Sequence, residues 1–274
     1  MYPLGNKRRS YPSDARAGNL YNHYMKRLAF LFLFLGLCLG LQAKTRVEIA
    51  EENSPAIVAV NVLKKDGSTF TGTGFVVSED GVIATSGHVI QDALYMNITF
   101  NTGAVSGQAV PLEGTDKVDL ALLKIGARNL PAVTLGDSDY VLPGQEITVI
   151  GNPRRLQNTV TSGLISQVRR KADGTILHQI SAPISPSSSG SPVFDEDGRV
   201  VSVAFGSYKG EGNQNLNFSV PSNYLVELLH QNHYYPPVMA PQEGGGPQDT
   251  WERITAHLSK SWEMTKRLFA RLFK

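Results

Sequence analysis

Cysteine is almost absent from this sequence, and charged residues are sparse. The 274 residues contain one cysteine, and Asp, Glu, Lys and Arg together make up 18% of the chain. Disulfide bonds therefore cannot hold the fold together, and a zinc site built on thiolates is excluded. Glycine-rich phosphate loops and the usual spacings of metal ligands are also missing, so the sequence implies no cofactor and no metal.

Hydrophobic residues and turn formers, by contrast, are plentiful. The chain is 41% hydrophobic and contains 26 glycines and 15 prolines. This composition suits many short strands joined by tight turns better than long exposed helices, and the length allows one large domain or two fused halves. The composition therefore favours an all-β fold.

Charge is distributed unevenly along the chain. Residues 1–43 carry a net charge of +5 and residues 251–274 one of +4, so the overall charge of +2 leaves −7 for residues 44–250. An acidic middle argues against nucleic acid as the main partner.

Residues 25–43 have the features of a secretory signal peptide. A Met-Lys-Arg start leads into a run of roughly 14 apolar residues that ends at Ala43, whereas a membrane-spanning helix needs about 20. The chain is therefore predicted to be exported to the periplasm or cell envelope. A retained signal anchor is the alternative, and residues 1–24, a polar basic leader, leave open whether Met1 or Met25 is the start.

The C-terminal end combines a linker with a basic amphipathic helix. Residues 236–250 contain three consecutive glycines and several prolines, which predicts a linker. Apolar residues at helical spacing follow at 251–274, with Lys and Arg on the other faces. This helix suits either an anionic membrane surface or packing on the domain or another subunit, and the oligomeric state stays open.

Residues 44–235 read as one β-rich domain. Short apolar runs bounded by Gly, Asp, Asn or Pro predict nine strands, at 56–63, 74–77, 96–100, 118–125, 146–151, 159–168, 176–180, 199–205 and 216–220. A helix is predicted after Pro221, with Tyr224, Leu225, Leu228 and Leu229 on its apolar face. These strands suffice for two small barrels.

Three residues stand in settings that suit nucleophilic hydrolysis. A serine hydroxyl attacks only when an imidazole removes its proton and a carboxylate holds that imidazole in the right tautomer. His88 ends a predicted strand and turn, Asp119 opens an apolar strand, and Ser189 lies in a loop of small residues. Each residue taken singly also fits an ordinary structural role, as a surface histidine, a turn aspartate or a polar loop.

The segments around these residues resemble motifs of the HtrA/Deg branch of trypsin-like serine proteases, in the order His, Asp, Ser. The resembling segments are 72–77 (GTGFVV), 85–90 (TSGHVI), 119–125 (DLALLKI), 135–139 (LGDSD), 150–153 (IGNP), 159–166 (TVTSGLIS) and 217–222 (NFSVPS). The resemblance covers nearly all of residues 46–232. It implies two six-stranded antiparallel β-barrels of the chymotrypsin type, followed by the linker and the amphipathic helix.

The resemblance also implies roles for individual residues. Ser189 would attack the scissile carbonyl of protein or peptide substrates, His88 would shuttle its proton and Asp119 would orient His88, so hydroxyl, imidazole and carboxylate should meet in a line. Backbone N–H groups of Ser187 and Ser189 would form the oxyanion hole. The primary specificity pocket would be lined by Ala182, Pro183, Ile184, Val203, Ala204 and Phe205, and the absence of an acid favours an apolar substrate side chain.

Two departures from the family pattern motivate a second hypothesis. Ser187 stands where the family usually has glycine, and a left-handed backbone there would cost serine about 1 kcal/mol. Only about 39 residues follow Tyr235, too few for the PDZ domains that such enzymes commonly carry. The alternative to a serine endopeptidase that degrades unfolded or partly folded proteins is therefore a catalytically weak or inactive trypsin-like fold used as a binding or scaffold module at the membrane.

Overall fold

Short β-strands make up most of the structure. The computed structural model describes residues 43–112, 115, 117–152, 159–185, 187–207 and 216–239. Contacts divide the chain into residues 1–43 and residues 44–274, and the described elements all belong to the second unit. The predicted signal peptide, Ala43 apart, and the predicted C-terminal helix lie outside the described residues. None of the described helices is long and apolar enough to cross a bilayer.

The secondary structure comprises fifteen named strands and three α-helices within the described residues. The strands are β1 (Ile57–Lys64), β2 (Thr69–Ser78), β3 (Val82–Thr85), β4 (Ala93–Phe100), β5 (Val105–Gln108), β6 (Val110–Pro111), β7 (Ala121–Lys124), β8 (Leu135–Gly136), β9 (Glu146–Gly151), β10 (Thr159–Arg170), β11 (Ile176–Ile180), β12 (Pro192–Phe194), β13 (Val200–Ser207), β14 (Asn217–Pro221) and β15 (Val238–Met239). The helices are α1 (Arg46–Asn53), α2 (Gly87–Ile90) and α3 (Ser222–Gln231).

The strands form two sheets, one from each half of the domain, and these build the two predicted β-barrels. The first sheet has the order β5-β4-β1-β2-β3-β7-β6, and the second has the order β12-β9-β10-β11-β14-β13-β8-β15. The second sheet closes on itself because β12 also pairs with β13. Each sheet has the predicted six strands if the two-residue strands β6, β8 and β15 are not counted. The sequence analysis did not predict these three strands, because two residues are too few to show a periodic pattern.

Two clusters of buried apolar side chains form the core. The smaller one contains residues of the second barrel, such as Ile147, Val149, Ile165 and Ile180. The larger one contains the first barrel's residues, and it continues into β12, β13, β14 and α3 of the second half. Apolar burial stabilises a domain by roughly 25 cal/mol per Å². The larger cluster therefore holds the two barrels together as well as filling the first.

The nine predicted strands are confirmed, since each overlaps an observed strand. The predicted helix is α3, whose Leu225, Leu228 and Leu229 are buried, although Pro221 caps the helix instead of occupying its first turn. Helix α1 was not predicted, yet its start has a capping box in which Thr45 and Glu48 satisfy each other's backbone N–H groups. That pattern was readable in the sequence.

The beginning of the predicted linker belongs to the fold. Val238 and Met239 pair in parallel with Leu135 and Gly136. The preceding prolines favour extended backbone, which leads the chain into this short strand. The remaining residues of the predicted linker, 240–250, lie outside the described part of the chain.

A buried ion pair orders the turn between β12 and β13. The carboxylate of Asp195 accepts from the backbone N–H of Arg199 at 2.9 Å and from its Nε at 2.9 Å. Both side chains are almost fully buried. Removing one partner of such a pair leaves an uncompensated charge, which typically costs about 3–5 kcal/mol. The pair therefore fixes the strand that directly follows Ser189.

His178 is a buried titratable side chain in the ladder of β11. It is 1% exposed and pairs across the sheet with Val168 and Ser219, and its Nδ1 has no hydrogen-bond partner within the described part of the chain. Burial disfavours the charged imidazolium and lowers the pKa of His178 from its ordinary value of 6.5 to about 4. The ring is therefore neutral in the folded state at neutral pH.

This burial predicts an acid-sensitive stability. Below pH 6.5 the unfolded chain binds a proton that folded His178 does not, so the free energy of unfolding should fall by about 2 kcal/mol between pH 7 and pH 5 through this residue alone. Urea unfolding at both pH values should show a smaller pH effect in His178→Leu than in the wild type. The exposed His230 supplies the control, because His230→Gln should keep the wild-type difference. An equal pH effect in all three proteins would contradict this account.

Candidate active site

His88 and Asp119 are brought together by the pairing of β3 with β7. In this antiparallel register Thr85, the last residue of β3, lies opposite Ala121, the first residue of β7. His88 follows β3 by three positions in α2, and Asp119 precedes β7 by two. Both residues therefore lie at the same end of the sheet, although 31 positions separate them in the chain.

The Asp119 carboxylate holds His88 at two points. Its Oδ2 lies 2.6 Å from Nδ1 of the imidazole, and its Oδ1 accepts from the backbone N–H of His88 at 2.8 Å. Gly87 allows this approach, because a Cβ there would come within 3.1 Å of Oδ1. An ionised carboxylate can only accept, so the imidazole proton sits on Nδ1 and Nε2 presents its lone pair. The His88 side chain is 40% exposed, which leaves that lone pair reachable.

The loop that carries Ser189 leaves two N–H groups without an acceptor. The N–H groups of Ser188, Gly190 and Ser191 donate to backbone carbonyls at 3.0, 2.7 and 3.0 Å. Those of Ser187 and Ser189, in contrast, donate to no described residue. Both residues are only partly buried, so their N–H groups are available to donate to the oxygen of a ligand beside the serine.

Ser187 adopts a left-handed backbone conformation, with φ of 73°. The expectation that this position needs a conformation natural to glycine is met, and serine there costs about 1 kcal/mol. The structure therefore contains the left-handed turn in spite of the serine side chain.

The loop docks on β2 of the first barrel through Thr73, a residue that sequence reasoning missed. The N–H of Thr73 donates to Ser189 O at 2.9 Å, and its hydroxyl donates to Ser187 O at 2.7 Å. Gly190, at φ of 88°, permits the contact, since a Cβ there would lie 2.0 Å from Thr73 O. The only sequence signal was the position of Thr73 between two glycines in the segment GTGF.

The Ser189 hydroxyl donates to the carbonyl of Phe205 at 3.3 Å. Among the described residues, no hydrogen bond joins Ser189 to His88, so the expected line of three groups is complete only between imidazole and carboxylate. A serine hydroxyl turns about a single bond and takes whichever acceptor its surroundings offer. The structure therefore places the loop of Ser189 against the first barrel with its hydroxyl turned toward β13.

The predicted pocket residues divide into two groups. Ile184 and Phe205 are partly buried and Pro183 is exposed, so these three offer surface to a ligand. Ala182 and Ala204 are buried in the core of the second barrel, and Val203 lies in the larger cluster on the other face of β13. Successive side chains of a strand point to opposite faces, which explains why Val203 and Ala204 lie in different core clusters. The side chain of Val203 was wrongly assigned to the pocket.

A buried amide fixes the wall of the proposed pocket. The Asn217 side chain donates to Ala182 O at 2.7 Å, and Thr161 donates to Pro183 O at 3.3 Å. These bonds hold the segment before Ser189 against β14 and β10. None of the described pocket residues is acidic.

Comparisons with known proteins agree with this arrangement. The family model of the trypsin-like peptidase domain matches residues 72–203. The "Probable periplasmic serine endoprotease DegP-like" of Chlamydia muridarum is 40% identical over 166 residues, which cover 58% of this chain and 33% of that protein. "Serine protease HTRA1B" of Danio rerio is 32% identical over 199 residues, which cover 68% of this chain and 41% of that protein.

A solved structure shares the fold. The HtrA-type protease AlgW, solved with a tripeptide, aligns with a TM-score of 0.63 and 27% identity over 69% of this chain and 63% of that chain. The chain spans about a third of the length of the bacterial relatives that it matches. The segment that the family model matches contains His88, Asp119 and Ser189. Over this part the chain is therefore similar to the trypsin-like peptidase domain of HtrA-type serine proteases.

Proposed function

We propose that this protein is a serine endopeptidase with His88, Asp119 and Ser189 as its catalytic triad. The observation that carries the proposal is the two-point hold of Asp119 on His88, at 2.6 and 2.8 Å. This hold fixes the imidazole tautomer whose Nε2 can accept the serine proton. A carboxylate that binds both the ring Nδ1 and the backbone N–H of a histidine fixes the orientation of the ring, which catalysis requires and a purely structural role does not.

The reaction begins when the Ser189 hydroxyl leaves Phe205 O and turns toward His88. Nε2 of His88 takes the hydroxyl proton as Oγ bonds to the scissile carbonyl carbon, and Asp119 stabilises the imidazolium that forms. The N–H groups of Ser187 and Ser189 donate to the carbonyl oxygen as it becomes an oxyanion. His88 then gives its proton to the leaving amine, and water hydrolyses the acyl-enzyme by the same steps.

A covalent probe tests the triad. A fluorophosphonate should form an adduct on Ser189 of the purified protein, located by peptide mass spectrometry, and Ser189→Ala should not label. Asp119→Asn should slow labelling by about a thousandfold or more, because it favours the wrong tautomer of His88. The matched control is Ser191→Ala, the same change two positions away, where the hydroxyl has no hydrogen-bond partner among the described residues; it should label normally.

The same experiment decides the alternative function, an inactive trypsin-like fold used as a binding or scaffold module. Two observations favour that alternative: the serine at position 187, and the bond of the Ser189 hydroxyl to Phe205. A folded protein that never labels, and whose Ser189→Ala variant binds partners equally well, would reject the enzyme and support the module.

The described pocket residues support a preference for apolar side chains before the scissile bond. Ile184, Phe205 and their described neighbours in the segment include no Asp or Glu. A Lys or Arg side chain of the substrate would therefore lose its hydration in the pocket without gaining a counter-charge. Fluorogenic peptides with Val or Ala at that position should be cleaved with kcat/KM at least about tenfold higher than those with Lys or Arg. Ile184→Asp should lower the ratio of kcat/KM for Val or Ala peptides to that for Lys or Arg peptides, because it adds a counter-charge for the basic side chain. A wild type that prefers Lys or Arg would contradict the pocket assignment.

The names of the relatives support a proposal for the substrates and the compartment. Relatives matched here are named periplasmic serine endoproteases, and AlgW was solved with a peptide bound. These names, with the signal-like residues 25–43, support an exported enzyme that degrades unfolded or partly folded proteins in the envelope. Mass spectrometry of the mature N-terminus tests export: a new N-terminus near residue 44 supports it, and an intact residue 25 in a cytoplasmic fraction opposes it.

Residues 251–274 support contact with an anionic membrane surface, because their composition combines apolar residues with a net charge of +4. Liposomes containing anionic lipid should bind the full chain less well as salt rises, since salt screens exposed charges. Deletion of residues 251–274 should abolish the binding while the labelling of Ser189 persists. Binding that survives the deletion would reject this role.

A further inference from the structure

We infer that Thr73 is a positioning residue for the oxyanion hole, acting through the peptide group between Ser187 and Ser188. The inference rests on the proposed function and adds to it a residue of the first barrel outside the triad. Its side chain reaches across the junction of the two barrels, 114 positions along the chain, to the loop of the second.

The direction of the hydrogen bonds at the Thr73 hydroxyl is fixed by its partners. The backbone N–H of Asn152 can only donate, and it does so to Oγ1 at 2.9 Å. The carbonyl of Ser187 can only accept, so the single hydroxyl proton lies on the 2.7 Å bond to that oxygen. The hydroxyl therefore connects the end of β9 to the loop, because it accepts from Asn152 and donates to Ser187.

The peptide group between Ser187 and Ser188 is held at both of its polar atoms. Its carbonyl accepts from Thr73, and its N–H donates to Ser185 O at 3.0 Å. The N–H of Thr73 holds the next carbonyl but one, that of Ser189, at 2.9 Å. Thr73 thus binds the carbonyls of Ser187 and Ser189, the two residues on either side of Ser188. The N–H groups of these same two residues are the ones that donate to no described residue.

The need for this hold comes from Ser187. Serine favours negative φ, whereas the loop requires φ of 73° at this position. Without the hydroxyl of Thr73, the peptide group that follows Ser187 loses one of its two anchors and the residue can relax toward negative φ. The N–H of Ser187 would then turn away from the position of the oxyanion. A glycine at 187 would lack that tendency and should depend less on Thr73.

Thr71 offers a matched control on the same strand. It lies two positions from Thr73, on the same face of β2, and its hydroxyl bonds to Asn61 Oδ1 at 3.3 Å, within the first barrel. Thr71→Val removes the same atom from the same strand without touching the loop of Ser189. The backbone bond from Thr73 to Ser189 is kept in every variant.

The test is a mutant cycle in the full chain. Thr73→Val, Thr73→Ser, Ser187→Gly, the double variant Thr73→Val with Ser187→Gly, and Thr71→Val are compared for kcat, KM and the rate of fluorophosphonate labelling. We expect Thr73→Val to lower kcat and the labelling rate about tenfold, the size of one lost hydrogen bond, with KM nearly unchanged. Thr73→Ser should retain the wild-type rate, and Thr71→Val should stay within about twofold of it.

The decisive comparison is between the two backgrounds. In Ser187→Gly the loss on adding Thr73→Val should shrink to about threefold or less, which a general loss of stability would not produce. Thermal unfolding checks that each variant is folded at the assay temperature, and Thr73→Ala replaces Thr73→Val if the valine variant is not.

The possible failures are distinguishable. A wild type that neither cleaves nor labels overturns the proposed function. A wild type that is active, with Thr73→Val equal to Thr71→Val, overturns the role of Thr73 alone. An equal loss in both backgrounds, or a loss seen only in KM, also overturns it.

Discussion

The contact of the Ser189 loop with strand β2 is the constraint on which the rest of the site depends. Apolar burial in the larger core cluster holds the two barrels together, because the cluster contains Phe75 of the first and Phe194 of the second. Burial alone is non-directional and does not set the position of one backbone against another. The hydrogen bonds of Thr73 do so, and Gly190 permits them because no Cβ fits between the two backbones.

The two halves of the site differ in how firmly they are fixed. On the side of the first barrel, the imidazole of His88 is held by its ring and by its own N–H, so both orientation and tautomer are set before substrate binds. On the side of the second barrel, the backbone of the loop is held but the Ser189 hydroxyl bonds to Phe205. The hydroxyl of Ser189 would have to leave Phe205 O before His88 could take its proton.

The sequence predicted the two-barrel architecture, and the contact between His88 and Asp119 agrees with one of its expectations. Nine of the strands followed from apolar runs and turn residues, and the segments TSGHVI and DLALLKI led to His88 and Asp119. The left-handed conformation of Ser187 was expected because the position is normally glycine. Each of these inferences used local chemistry or a motif, so each was readable along the chain.

The remainder depends on contacts between distant segments, which no local pattern encodes. Thr73 contacts a loop more than a hundred positions away, and the sequence analysis did not identify the buried ion pair of Asp195 and Arg199. Val203 was placed in the pocket because the segment was treated as a unit, whereas alternation along β13 turns its side chain into the larger core. The hydroxyl of Ser189 follows the acceptors around it, and these are set by the assembled barrels.

The most direct test of the central claim is a crystal structure of the protein inhibited by a peptide boronate. The account predicts a bond from boron to Ser189 Oγ, with His88 Nε2 within hydrogen-bond reach. One boronate oxygen should accept from the N–H groups of both Ser187 and Ser189, with φ of Ser187 still positive. A boronate bound away from Ser189, or an adduct whose oxygen meets neither N–H group, would contradict it.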